Sequence, residues 1–586
     1  MRRRDVLNQI TSVLFVAAAS AYNSTNAALG FVRNNALGPL SRGTADGFRS
    51  AGGLVACFMF GGWETRGPPY NPSPWYWINR YAPSRLPKGS QPIKGRLPRW
   101  KLRDSGRGRK SAVASDANLP KSISRQIDTA AGKVLISSTL APSYFSTNEI
   151  KAVSLQFEVS NGKLLSASIT CKACDIKRPS LEIVSVRSDE TSYNGRELII
   201  DLSKLGSDMV IISWEIDLQF YPDTRVNLCD DVDVVPTPLY KSTLNELRGL
   251  PSDEDSTSIE YLRLAESSGI NAFLMCAFWD GSRSRNHLSN RSMVKCSENS
   301  QTKTALYFDT TASEPLKNEK DLDAFVDYTM QFMDSSGYWK LDGRPILGFH
   351  GNKELLNFFS QCGQVNNENI IESCRTAMIA LREKCDAKLG QRGAVLLLSG
   401  SGAAHPDLIG HYQHPALLEF LGFDAVTTYN QFSSYQKHAF NSVQQPNGMM
   451  RGTGYVSGRW PADPSEMRFE DLAEVYRRAG EWITQESGSK LRYWVPGIAG
   501  WDTSPWSYKE IRSNSPCQEG CEPTSQQFFS HLCDIRDLAL QVSRQNGLAP
   551  IISLYAWDEF GEGGYLCPTE GEEFSKLSVV KEVFGS

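Results

Sequence analysis

From about residue 250 onward the chain alternates two kinds of hydrophobic pattern. Short apolar runs lie at 271–278, 304–308, 345–349, 394–398, 423–427, 493–498 and 551–556, and only Asp424 puts a charge in one of them. Between them, in stretches such as DLDAFVDYTMQFMDS and FEDLAEVYRRAGEWI, apolar residues recur every three or four positions. Unbroken runs of this length suit strands covered on both faces, and the longer period suits amphipathic helices. Their alternation predicts βαβ units and a parallel sheet. The later part of the chain supplies seven such strands, and LVACFMFGGW at 54–63 supplies an eighth. Eight strand–helix units predict an α/β fold, a (β/α)8 TIM barrel.

A different pattern interrupts the barrel after its first strand. Segments such as AVSLQFEVS, KLLSASITC, ELIIDLS and MVIISWEIDLQF alternate apolar and polar residues, with Asn161-Gly162 and Asn194-Gly195 as tight-turn signals between them. A period of two with such turns predicts antiparallel strands. The expected organisation is an export signal at 1–27, a barrel from 51–63 and 235–586, and a β-sandwich-like accessory domain inserted at 125–222. Few aromatics cluster in the insert, so it is expected to carry no catalytic groups.

The N-terminus, MRRRDVLNQITSVLFVAAASAYNSTNA, has a basic start, an apolar run too short to span a bilayer, and small residues at Ala19-Ser20-Ala21 and Ala27. That is the layout of an export signal, with RRDVL similar to a twin-arginine signal. The expected location is periplasmic or extracellular, with no stable membrane span after signal removal. A net charge of -3 gives no basic field for nucleic acid. Thirteen cysteines include Cys171/Cys174 and Cys517/Cys521, each close enough in sequence to form a local disulfide in an oxidising compartment. Cys57 and Cys276 lie in apolar runs and are expected as buried thiols. No His cluster accompanies the cysteines, so no metal and no cofactor are expected.

In a TIM barrel the chemistry gathers where the strands end, because the following loops converge there. The strand ends bring Trp63, Trp279, Asp280, Asp309, His350, Tyr429, Trp501, Asp502 and Trp557 to one mouth, as candidate substrate-binding residues. Taken singly, an Asp after a strand is often a helix cap and a Trp is often packing. Together, rings and acids on at least five strands suit a carbohydrate, whose C–H faces pack on rings and whose hydroxyls need acceptors. Glu559 and Glu562 are the candidate catalytic pair. Three residues apart in an expected helical turn, they point the same way. Two close carboxylates tend to divide into a protonated acid and an ionised base, which is what glycoside cleavage requires.

YAWDEFGEGGYLCP, at 555–568, resembles the closing W-N-E-W-x-E-G motif of glycoside hydrolase family 99 and its WbsX-like relatives. YWKLDGRPILGFH, FDAVTTYN, VPGIAGWDTSPW and ESSGINAFLMCAFWDG are similar to further barrel segments of that family. The likeness spans roughly 51–63 and 235–586 and leaves the insert outside. It implies a retaining endo-α-mannosidase-type glycoside hydrolase acting on a polysaccharide or oligosaccharide. Glu559 then corresponds to the carboxylate that deprotonates the sugar 2-hydroxyl, on a route through a 1,2-anhydro sugar. Glu562 corresponds to the acid/base, and Tyr429 to an active-site tyrosine. Asp558 stands where the motif has Asn, Phe560 where it has a second Trp, and Gly564-Tyr565 where true mannosidases have Thr-Gln. Two other readings are a WbsX-like glycosyl-transferring or polysaccharide-assembly protein, and a non-catalytic carbohydrate-binding protein. No glycine loop of the kind that cradles a nucleotide phosphate is present.

Overall fold

The structure is a computed structural model. It describes residues 44–585 apart from 65–74, 76–77, 80–81, 94–98, 105–122, 129–130, 138–144, 147–149, 176–183, 206–208, 352, 364–369, 392, 401–414, 430–467, 486–488 and 503–521. The expected export signal at 1–27 and the pair Cys517/Cys521 lie outside the described residues.

Eight strands form the barrel: β1 (Leu54–Met59), β2 (Ala272–Ala277), β3 (Lys303–Asp309), β4 (Arg344–His350), β5 (Leu396–Ser399), β6 (Ala425–Val426), β7 in two pieces (Arg492–Tyr493 and Val495–Ile498), and β8 (Ile551–Tyr555). Each pairs in parallel with the next. β1 closes the ring: Leu54 lies opposite Ile551 of β8, and Ala56 opposite Ala272 of β2. β7 is interrupted at the buried Trp494, so its first piece pairs with β6 and its second with β8. A helix follows every strand, from Asp255–Ser267 after β1 to Ser525–Asn546 after β7 and Ser575–Phe584 after β8.

The sequence reasons for these elements are visible in their packing. All six residues of β2 are buried, as a strand enclosed by barrel interior on one face and helices on the other must be. Helix Glu319–Met333 turns Phe325 onto Phe308 of β3 at 4.6 Å and onto Phe349 of β4 at 6.2 Å. Truncating such a fully buried Phe to Ala typically costs about 3–5 kcal/mol. Helix Ser525–Asn546 opens on a capping box between Thr524 and Gln527 and ends at Gly547, which is left-handed.

The insert leaves and rejoins the barrel through a two-strand neck. Gln91–Pro92 pairs with Arg248–Gly249, and Ile93 N donates to Leu247 O at 2.8 Å. Beyond the neck, an eleven-stranded, almost wholly antiparallel sheet runs from Arg99–Asp104 to Arg225–Pro236 among the described residues. It includes those two strands, which flank the 125–222 stretch. Strands Ile150–Asn161 and Met209–Phe220 stand five places apart in the sheet order, roughly 24 Å if the sheet were flat. Phe157 and Phe220 nevertheless meet edge to face at 5.7 Å, so the sheet folds over into a sandwich. Gly162 and Gly195 supply the positive φ of the expected turns.

One cysteine expectation is corrected. Cys171 and Cys174 lie on one strand, Leu164–Asp175, and Cys171 is a buried free thiol. Three strand residues span about 10 Å, whereas a disulfide needs Cα atoms within about 7 Å. Cys57 and Cys276 are buried free thiols, as expected.

Candidate active site

The barrel interior at the strand ends is an aromatic cluster. Phe58 of β1, Tyr307 of β3, Tyr429 just after β6 and Tyr555 at the end of β8 touch in sequence: Phe58–Tyr307 at 4.9 Å, Tyr307–Tyr429 at 5.8 Å and Tyr429–Tyr555 at 4.9 Å. His350 joins it 5.2 Å from Tyr429, and Trp501 lies 5.9 Å from Tyr555. Gly400, after β5, makes room for the cluster, since a Cβ there would fall 1.7 Å from the Tyr307 hydroxyl.

Both candidate carboxylates stand over this cluster. Asp558–Glu559 and Gly564–Tyr565 pair as a tight antiparallel hairpin, and Glu562 N donates to Glu559 O at 3.0 Å across its turn. The expected helical turn is therefore a hairpin turn, which also brings residues i and i+3 together. Glu559 is buried and Glu562 partly exposed. The Tyr429 hydroxyl donates to Glu559 Oε1, and the Tyr555 hydroxyl to Glu562 Oε2. Burial first, then the neighbouring Cys276, Glu559, Tyr555 and Glu562, push the Tyr429 pKa well up, so that phenol keeps its proton and remains a donor. A phenol donating to a carboxylate favours its ionised form. Cys276 donates to the Tyr429 oxygen at 3.6 Å, and burial followed by Glu559 holds it as a neutral thiol.

Beside Glu559, Asp558 is fully buried. It accepts from Phe60 N at 2.7 Å and Gly61 N at 3.2 Å, tying the hairpin to the loop after β1. Burial pushes its pKa up to about 7, against the lowering pull of those two amides. Asp502, after β7, pairs with Arg85, and its amide donates to Glu562 O at 2.7 Å. Arg85 comes from the segment between β1 and the insert.

The structure thus brings Glu559, Glu562, His350, Tyr429, Trp501 and Asp502 together. The other expected residues sit elsewhere or serve locally. Trp279 is enclosed between Phe325 and Tyr328, under helix Glu319–Met333, and Trp557 packs on Tyr261 and Phe273, under helix Asp255–Ser267. Trp63 is buried against Trp75 and Phe560, its indole donating to Asp558 O at 2.9 Å. Asp280 accepts from Ser282 N and Arg283 N at 2.9 Å each, and Asp309 from Thr311 N at 2.8 Å, so both close turns. Tyr555 and Arg85 were missed. Tyr555 was legible: in a strand alternate residues share a face, and Ser553, buried against Thr427, points the same way. Arg85 lies in Pro- and Arg-rich sequence with no periodic signal.

Among the described residues no group of His, Cys, Asp and Glu could hold a metal ion, and no helix is long and apolar enough to cross a membrane. No protein-family model matches the chain, and no curated protein matches it by sequence. Several solved structures are similar to parts of it. One, described as a glycoside hydrolase-like protein, is 13% identical over 58% of this chain and 88% of its own, with a TM-score of 0.38. An endo-alpha-mannosidase of glycoside hydrolase family 99 from Bacteroides thetaiotaomicron is 10% identical over 57% of this chain and 84% of its own, with a TM-score of 0.34. The chitinase ChiB of family 18 from Flavobacterium johnsoniae is 11% identical over 56% and 90%, with a TM-score of 0.31. Likenesses this distant say nothing of substrate.

Proposed function

We propose that this protein is a glycoside hydrolase that cleaves an oligo- or polysaccharide, with Glu559 and Glu562 as its catalytic carboxylates. The observation that carries the reading is the paired arrangement at the barrel mouth. Two carboxylates on one hairpin turn each take a hydrogen bond from a separate tyrosine, and the two tyrosine rings are 4.9 Å apart.

The likeness of YAWDEFGEGGYLCP to the family 99 motif assigns the roles. Glu559, buried and held by a phenol that keeps its proton, is the base that removes the proton of the sugar 2-hydroxyl. The freed oxygen attacks the anomeric carbon as the glycosidic bond breaks, giving a 1,2-anhydro sugar. Glu562, in reach of solvent, gives its proton to the leaving oxygen. It then takes one from the water that opens the anhydro ring, while Glu559 returns its proton to the 2-oxygen. Two inversions at one carbon leave its configuration retained. Trp501, itself buried, backs Tyr555 at 5.9 Å and holds that ring beside Glu562. Export, expected from residues 1–27, fits a polymeric substrate met outside the cytoplasm.

The test is reducing-end release from α-mannans, α-glucans and bacterial exopolysaccharides. The wild type should act on at least one of these. Glu559→Gln and Glu562→Gln should each lower kcat by about 10²–10⁴-fold, with unchanged circular dichroism. Glu562→Gln should lose least on substrates with good leaving groups, whereas Glu559→Gln should lose similarly on all. Full activity in the double variant would end the proposal.

A further inference from the structure

Arg85 lies in the short 3-10 turn Pro83–Arg85, between β1 and the insert, and is only 6% exposed. A guanidinium offers five donors in a rigid fork, so its bonds fix directions as well as charge. One terminal nitrogen, Nη2, donates to the Asp502 carboxylate and to Glu522 Oε1 at 2.6 Å. The other, Nη1, donates to main-chain carbonyls, Asp502 O at 3.1 Å and Phe560 O at 3.3 Å. Phe560 stands between the two glutamates on the hairpin turn. Asp502 N in turn donates to Glu562 O at 2.7 Å. One side chain therefore joins three segments: the entry to the insert, the loop after β7 and the hairpin after β8.

A salt bridge serving stability alone would not need this arrangement. Burial works against the Arg85 charge, and Asp502 and Glu522 offset that cost and hold its pKa above the ordinary value. Buried ion pairs of this kind roughly break even against apolar packing. Half of the fork is instead spent on two carbonyls, one in each loop at the mouth, where what it fixes is their mutual position. Gly563 shows how close that approach is: its φ is +74°, and a Cβ there would fall 2.6 Å from Asp502 N.

We propose that Arg85 is a positioning residue, setting the angle of the hairpin turn and so the place of the Glu562 carboxylate relative to Glu559. Its consequence for catalysis rests on the hydrolase reading above, while its mechanical part rests on the bonds alone. It also gives the segment after β1 a part in completing the site, although that segment lies outside the barrel.

The experiment uses the full chain and Arg85→Lys, which keeps the charge that Asp502 and Glu522 require but cannot reach both carbonyls. Amide hydrogen exchange should quicken about tenfold at 502 and 559–563, the scale of one lost hydrogen bond, with the rest of the barrel unchanged. On the glycan that the wild type cleaves, kcat should fall about 10–100-fold with KM within threefold, because misplaced groups slow the reaction more than they weaken binding. If Arg85→Lys does not fold, Glu522→Gln, which frees the outer anchor of the guanidinium, should show a smaller exchange increase at the same amides. Unchanged protection there, or a rise spread evenly over the barrel, overturns the proposal. Lack of activity in the wild type on every glycan overturns the hydrolase reading instead, and the exchange result still decides the role of Arg85.

Discussion

Asp558, Tyr429 and Tyr555 show how single side chains set the charge of the mouth. The folded pKa of Asp558, about 7, lies above its ordinary 3.8 because burial disfavours the anion. Between those values the folded carboxyl holds a proton that the unfolded chain has released, so stability falls as pH rises through that window. Asp558→Asn mimics the protonated form and removes the ionisation. Between pH 5 and 8 the variant should therefore gain about 2–3 kcal/mol relative to the wild type. Denaturant melts at both pH values measure this, and parallel pH profiles would refute it. The tyrosines act on the two limbs of the activity profile. Tyr429→Phe removes a donor from the proposed base, whose pKa rises, and the acid limb of kcat/KM should move up by about 1–2 units. Tyr555→Phe should move the alkaline limb upward instead. The limbs belong jointly to the coupled pair, so a smaller opposite-limb movement accompanies each. Equal shifts of both limbs in both variants would contradict the assignment.

The hairpin is the element on which the site depends, and its sequence concealed its form. Asp558–Glu559 and Gly564–Tyr565 are strands of two residues each, too short to show a period of two. A helical turn and a hairpin turn both juxtapose residues i and i+3, so the pairing of the glutamates was legible while the backbone was not. Parity explains the tryptophans. Cys276 faces the interior beside Tyr429, which puts Trp279, an odd number of residues later, on the helix-facing side with Phe273. Along β8 the alternation stops at Tyr555, and Trp557 turns outward with the chain. The left-handed Gly563 is the point at which the hairpin is most easily broken. Gly563→Ala should cost about 1–2 kcal/mol from its positive φ alone, and more from the contact with Asp502. Thermal melts should register the loss; a loss of no more than the φ cost would show that the loop after β7 can retreat, and an unchanged Tm would contradict the prediction.

For the whole molecule, the alternation of apolar runs and amphipathic stretches was enough to give the barrel, including the distant first strand. That succeeded because parallel strands covered on both faces leave the strongest pattern a sequence can carry. The interruption of β7 at Trp494 left no such mark, since YWVPGI reads as one apolar run. The strands that flank 125–222 in sequence left a weak mark for the opposite reason. RVNLCDDVDVVP at 225–236 breaks its alternation with Cys229-Asp230-Asp231, where the register against Ile150–Asn161 also shifts. The neck formed by Gln91–Pro92 and Arg248–Gly249 makes a test of the insert practical: replacing 94–246 with a short glycine-serine bridge should leave a folded, closed barrel. Far-ultraviolet circular dichroism and a cooperative melt would show it, and insoluble protein would mean that the sandwich supports the barrel. The neck also alters the polymer statistics of the chain. A flexible loop of that length would add a closure penalty that grows only with the logarithm of its residues, about 0.6 kcal/mol per doubling. A folded module whose two ends already lie one strand spacing apart reduces even that to the penalty of a hairpin. To the barrel the sandwich then has the entropy of a short turn, which leaves it free to change in size and sequence with little effect on how the barrel closes.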